Sequence, residues 1–195
     1  MANITAADVN KLRKQTGAGM MDCKKALTEA DGDFDKAIEI IREKGQAVAK
    51  KRSDREASEG VVFAKTTSDE KKGFIISMNC ETDFVAKNDD FIKLANQIID
   101  AAVEKQPNNI DELKQLQIEG QTVQETINYY TGIIGEKLEL AYYDYIEAAK
   151  VTSYIHMDNK LAALVGLNKD NVDQDVAKNV AMQVAAMDPV AVDKD

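Results

Sequence analysis

Apolar positions in the first 45 residues recur at three- and four-residue spacing, the period of helices with one buried face. Thr5 followed by Asp8 reads as an N-cap with an acid three residues on, after which Val9 and Leu12 share a face until Gly17. A second helix is predicted from about Met20, with Cys23, Ala26 and Leu27 inward, stopping at Asp31-Gly32. A third starts at Asp33, presents Phe34, Ala37, Ile38 and Ile41 at helical spacing, and stops before Gly45. A bundle this small is marginal alone, so its apolar face is expected to be completed by a partner or by the rest of the chain. Residues 46–59, rich in Lys, Arg, Glu and Ser, read as a charged linker that makes residues 1–45 separable.

The period then shortens. Gly60 to Ala64 and Gly73 to Met78 are short apolar runs around the polar stretch Thr66 to Lys72, which predicts a hairpin. A helix from Asp89 carries Phe91, Leu94, Ala95, Ile98 and Ile99 on one side and ends before Pro107. The order recurs downstream, where Lys150 to Ile155 and Leu161 to Gly166 flank a turn at His156 to Lys160, and an Ala/Val/Met-rich helix runs from about Asp173 to Met187. At an offset near 86, Leu94, Ala95 and Ile98 match Val180, Ala181 and Val184. Between the copies lie a connecting helix, about Thr122 to Ile134, and a strand candidate, Lys137 to Ile146, expected to add an edge to the second copy's sheet.

The expected architecture is therefore α+β: an N-terminal three-helix bundle followed by a duplicated core of antiparallel hairpins with helices. Its boundaries are drawn at residues 1–55 for the helical domain and linker, 56–135 for the first core unit with its connecting helices, and 136–195 for the second. The copies differ at one corner: the first carries Cys80-Glu81-Thr82-Asp83-Phe84 where the second has Leu167-Asn168-Lys169.

Composition narrows the function classes. Residues 1–59 hold 12 Lys and Arg against 11 Asp and Glu, whereas the remainder holds 13 against 23, for a net charge of −9. An acidic body argues against nucleic acid as the main partner, because phosphate contacts supply most of that affinity. The basic run Lys50-Lys51-Arg52 with Arg55 reads as a solvated helix end or linker. No apolar run approaches the roughly 18 residues of a membrane helix and no export signal opens the chain, so no membrane partner is expected. Cys23 and Cys80 stand in no C-x-x-C spacing and the chain has one histidine, which provides no zinc ligand set and suits a reduced, cytoplasmic setting.

Catalytic readings find little. Gly17-Ala18-Gly19 has neither a preceding strand nor the lysine of a phosphate loop, and reads as a helix-to-helix turn. His156 has no nucleophile or ligand partner in sequence and is expected in solvent. The acids Glu81, Asp83, Asp89 and Asp90 lack the alternating order of a calcium loop. No cofactor, metal or covalent reaction is expected. Met20 and Met21 are open to two readings, core packing with Cys23 and Leu27 or an adaptable contact patch. Phe84 is likewise open, either tucked under the next helix against Phe91 or exposed at a polar corner as a probe for another protein.

Two strings carry a resemblance. T-G-A-G-M-M-D-C-K-K-A-L at Thr16 to Leu27 is similar to the amino-terminal domain of the elongation factor Ts family, whose fold resembles ubiquitin-associated domains, and N-C-E-T-D-F-V-A-K-N at Asn79 to Asn88 is similar to that family's core signature. The likeness covers essentially the whole chain in order and implies a translation elongation factor, a guanine-nucleotide exchange factor for the GTPase EF-Tu. It implies that Leu12, Gly17, Met20 and Met21 dock on the GTPase domain, and that Thr82, Asp83, Phe84 and Val85 disturb its magnesium site. EF-Tu in its GDP-bound and nucleotide-free forms would be the partner. A competing class is a non-catalytic binding module that uses the N-terminal bundle. Many family members continue past a stretch like Ala181 to Pro189 into a helical hairpin and a last strand that closes the second unit. No such segment is legible before Asp195, which leaves a natural variant and a fragment both open and predicts an unpaired sheet edge.

Overall fold

The computed structural model describes residues 3–192. In chain order the elements are α1 (Ala6–Thr16), α2 (Met20–Glu29), α3 (Phe34–Arg52), β1 (Glu59–Thr66), β2 (Lys72–Cys80), α4 (Asp83–Ala86), α5 (Asp89–Lys105) and α6 (Ile110–Gln115). They continue with β3 (Gln117–Ile118), β4 (Gln121–Thr122), α7 (Val123–Ile134), β5 (Leu138–Glu147), β6 (Lys150–Ile155), a 3-10 turn (Met157–Asn159), β7 (Ala162–Leu167) and α8 (Gln174–Met187). The fold is α+β with helices leading, as expected.

Contacts divide the chain into two compact units. One contains residues 3–56 together with Glu125–Leu138; the other contains Ala57–Gln124 and residues 139–192.

In the first unit, side chains cap α1 and α3 at the starts that the sequence predicts. Thr5 and Asp8 form a reciprocal capping box on α1, with Asp8 Oδ2 accepting from the Thr5 amide at 3.0 Å. Asp33 caps α3 by accepting from the amides of Asp35 and Lys36. Val9, Leu12, Cys23, Ala26, Leu27, Ala37 and Ile41 form the core, and Tyr129 and Ile133 of α7 pack against it. The expected stop at Gly45 is wrong: α3 runs on to Arg52, because the residues after Gly45 are good helix formers. Gly45 is buried within the helix, and a Cβ there would lie 3.0 Å from Tyr129 Cα and 3.2 Å from the Asn128 carbonyl oxygen. The first part of the predicted linker is thus helix, and Lys50, Lys51 and Arg52 sit in its last turn, where cations meet the negative end of the dipole.

In the second unit β1 and β2 form the predicted hairpin, in register from Glu59 opposite Cys80 to Thr66 opposite Gly73. Period-two alternation drives Phe74, Ile76, Met78 and Cys80 of β2 fully inward, and α5, which packs on this hairpin, buries Phe91, Leu94, Ile98 and Ile99. Burial of each such large apolar side chain contributes roughly 1.5–3 kcal/mol. The second hairpin, β6 with β7, pairs from Lys150 opposite Leu167 to Ile155 opposite Ala162, and α8 packs on it. The two hairpin-plus-helix copies are therefore present.

Strand β5 departs from expectation. It lies beside β2 in a three-stranded sheet ordered β1-β2-β5 and adds nothing to the second hairpin, which is a separate two-stranded sheet. Side chains account for the choice, since Tyr143 and Tyr145 of β5 stack on Phe74 of β2 with ring centroids 6.5 and 6.0 Å apart. Tyr143 also donates its hydroxyl to the Pro107 carbonyl at 2.5 Å. The second copy is less enclosed than the first: α5 buries Leu94 and Ile98 completely, while the matching Val180 of α8 is exposed.

Candidate functional site

The corner after β2 is built from the inside outward. Cys80 is fully buried and its thiol donates to the Thr82 carbonyl at 3.2 Å, which ties the strand end to the residue that begins the next turn. Thr82 has extended backbone and caps α4, its hydroxyl oxygen accepting from the Val85 amide at 3.4 Å. Ala86 is buried against the hairpin, and two positions earlier on a single helical turn the opposite side faces out. Phe84 occupies that side and is 82% exposed. Asn88 then caps α5, accepting from the amides of Asp90 and Phe91, so that Phe91 enters the core. Of the two readings of Phe84, the one that tucks it under the helix is overturned by its exposure, while Ala86 and Phe91 are the side chains that follow it into the core.

Asp83 stands beside the ring. Its Oδ2 lies 3.0 Å from Lys87 Nζ across one turn, and this hydrogen bond, with the Lys87 charge, holds the Asp83 carboxyl below the usual carboxylate range. The same pair raises Lys87. Both groups are in solvent, so the ion pair adds little stability and its partners exchange readily. Val85 and Thr82 are half-buried, supporting the turn at its base.

One neighbour of this corner escaped the sequence reading. The turn between β6 and β7 lies close enough that Lys160 lowers Asp83 and Asp158 raises Lys87 through space. Lys160 Nζ bonds Glu59 Oε2 at 2.6 Å, which ties the turn to the start of β1. This turn exposes Met157 (77%) and Leu161. The available signal was the placing of Met157 and Leu161 at either end of a polar turn, where no local period requires an apolar side chain. His156 is exposed, as expected, with Nδ1 2.9 Å from the Tyr154 hydroxyl.

The first unit carries the other candidate residues. Gly17 ends α1 in the left-handed region at φ 70°, a conformation that favours glycine, and turns the chain towards α2. Met20 and Met21 open α2 and are 54% and 63% exposed, which overturns their core reading. Beneath them Cys23 is buried, 3.6 Å from the Ala18 carbonyl oxygen. Leu12, expected on the docking surface, is fully buried in the unit's core, because α1 and α2 close over it; it supports the corner from below.

Among the described residues no three His, Cys, Asp or Glu side chains converge as a metal site, and no helix is long and apolar enough to cross a membrane. Glu81, Asp83, Asp89 and Asp90 do not come together as ligands: Asp83 pairs with Lys87, while Asp89 and Asp90 sit in the first turn of α5, favourable to its dipole.

The family model described as Elongation factor TS matches residues 81–195. The elongation factor Ts of Christiangramia forsetii is 55% identical, in an alignment covering 100% of this chain and 71% of that protein. Those of Bacteroides thetaiotaomicron and Bacteroides fragilis are 55% and 56% identical over 98% of this chain, which spans 58% of the length of each.

Proposed function

The chain belongs to the elongation factor Ts family, and from that premise we propose that it serves translation elongation as a guanine-nucleotide exchange factor that binds EF-Tu·GDP and promotes GDP release. The observation that carries this reading is Phe84, a large ring held out in solvent on a capped helical turn whose other side is anchored in the core. An exposed aromatic on a rigid support is suited to a partner's pocket, since little conformational entropy is lost on docking.

The action is physical. Phe84 wedges between helices of the GTPase and shifts them from one packed arrangement to another. Asp83 exchanges Lys87 for groups of the partner and offers competing hydrogen bonds, so that ligands of the bound magnesium and phosphates lose their geometry. Thr82 and Val85 hold the turn in shape, and Met20 and Met21 dock on the GTPase domain with adaptable side chains, Gly17 shaping their corner. A factor that binds the nucleotide-free partner more tightly lowers nucleotide affinity by the same ratio. A thousandfold effect needs roughly 4 kcal/mol of differential binding, within the range of one aromatic anchor and one charged group. On this reading the protein has no covalent chemistry, cofactor or metal of its own, and acts in the cytoplasm on a protein partner, without nucleic acid or membrane.

Release of a fluorescent GDP analogue from EF-Tu, with and without this protein, tests the proposal. Acceleration that Asp83→Ala diminishes supports it. Binding without acceleration favours instead a non-catalytic module that uses the exposed Met20 and Met21.

A further inference from the structure

The last carbonyls of a helix have no partner within it, and at α1 one of them is satisfied from far along the chain. Tyr129 of α7 donates its hydroxyl to the Thr16 carbonyl at 2.7 Å, across 113 positions of sequence. Thr16 is the residue immediately before Gly17, where the chain turns to present Met20 and Met21. The Thr16 hydroxyl and the Ala18 amide bond locally. The Thr16 hydroxyl donates to the Leu12 carbonyl at 2.8 Å, and the Ala18 amide donates to the Thr16 hydroxyl oxygen at 3.3 Å. Lys44 of α3 also reaches α2 from outside, pairing with Asp22 in its first turn, but the Tyr129 bond is the one to the Thr16 carbonyl at the Gly17 turn itself.

Its placement is built in. Gly132 and Gly45 let α7 and α3 touch backbone to backbone, and Asn128 Nδ2 donates to Gln46 Oε1 at 2.6 Å beside that crossing. The Tyr129 ring packs against the unit's core and stands edge-on to Tyr130 at 5.7 Å. Burial pushes its hydroxyl up to about 12, so the donor proton is retained at physiological pH.

We propose that Tyr129 is a positioning residue for the docking corner: its bond to the Thr16 carbonyl fixes the turn at Gly17 and with it the presentation of Met20 and Met21. It touches no partner itself. The inference rests on the docking role proposed above and adds α7 to the machinery of that site. A pre-ordered corner binds more tightly because less ordering remains to be done on docking, while the wedge at Phe84 is untouched.

The test is Tyr129→Phe, which keeps the ring and removes the bond, read in two ways on the full chain. In the free protein, hydrogen exchange at the amides of Gly17, Ala18 and Cys23 is expected to quicken while that of β2 stays as in the wild type. In nucleotide release, the concentration giving half the maximal acceleration is expected to rise three- to tenfold, roughly what one net hydrogen bond is worth, with the saturated rate unchanged. Met20→Ala/Met21→Ala provides the comparison. Unaltered exchange at the corner overturns the proposal, as does a fall in the saturated rate. A half-saturation raised by the methionine substitutions but not by Tyr129→Phe overturns the positioning role alone. If neither variant raises it, the docking reading fails and the proposal with it. Gly132→Ala, which pushes α7 off α3, is expected to reproduce the Tyr129→Phe pattern at the corner, and a corner left protected by it also counts against the proposal.

Discussion

Gly132 of α7 meets Gly45 of α3 so closely that a Cβ on Gly132 would lie 2.4 Å from the Gly45 Cα. That atom is backbone and cannot rotate away, so the helices must separate to admit even a methyl group. Gly132→Ala is therefore expected to destabilise the first unit by roughly 1–3 kcal/mol, the usual cost of overpacking, in spite of alanine's better helix propensity. Denaturant unfolding followed by hydrogen exchange on α7 measures it; an unchanged midpoint would mean that the crossing relaxes freely.

The same contact changes what truncation should do. Residues 1–45 read in sequence as a unit to be removed cleanly, but that cut falls inside α3 and strips Tyr129 and Ile133 of the core they pack on. The truncated chain is expected to lose amide protection across 125–134 and to self-associate through the uncovered apolar face. Light scattering that shows a monodisperse chain with α7 still protected would contradict this.

What the sequence disclosed and what it hid divide by distance along the chain. Both hairpins, the cap at Thr5, the helix starts near Asp33 and Asp89, and the duplicated helix were legible because a helix start or an alternating run is a property of a few neighbouring residues. Gly45 misled because a glycine that ends a helix and one that admits another helix look alike until the second helix is placed. The pairing of β5 with β2 and the membership of α7 in the first unit rest on Tyr143 with Phe74 and Tyr129 with Thr16, pairs that no local period records. At the site, helical spacing from Phe91 to Ile98 marked Phe91 for the core, but a four-residue turn has too few positions to show a period, so the sequence left the direction of Phe84 open until the turn was placed with Ala86 buried and Phe84 exposed.

Alkaline titration offers a check on Tyr129. Its hydroxyl is raised from 10.0 to about 12, first by burial and then by neighbouring Tyr130, so the folded state favours the protonated form. That contribution is complete below pH 10 and is lost as the pH rises from 10 through 12. Wild type is expected to lose more stability over this window than Tyr129→Phe. Subtracting the two unfolding curves removes what both share, including Tyr143, whose hydroxyl is also raised by burial. Parallel loss in both proteins would contradict the assignment.

Two phenylalanines seven positions apart should behave oppositely. Phe91→Ala, in the fully buried core of the second unit, is expected to cost roughly 3–5 kcal/mol. Phe84→Ala should change stability by no more than about 0.5 kcal/mol, as for a surface residue. Urea melts of the two variants measure both, and a large loss at Phe84 would mean that the ring packs in solution.

Stimulated GDP release from EF-Tu by Phe84→Ala, measured at saturating concentration beside the wild type, bears most directly on the role of the exposed ring. The variant is expected to remain folded and to bind, yet to accelerate release severalfold less than the wild type. Full acceleration by a folded Phe84→Ala protein would contradict the account and remove the α4 corner from the mechanism.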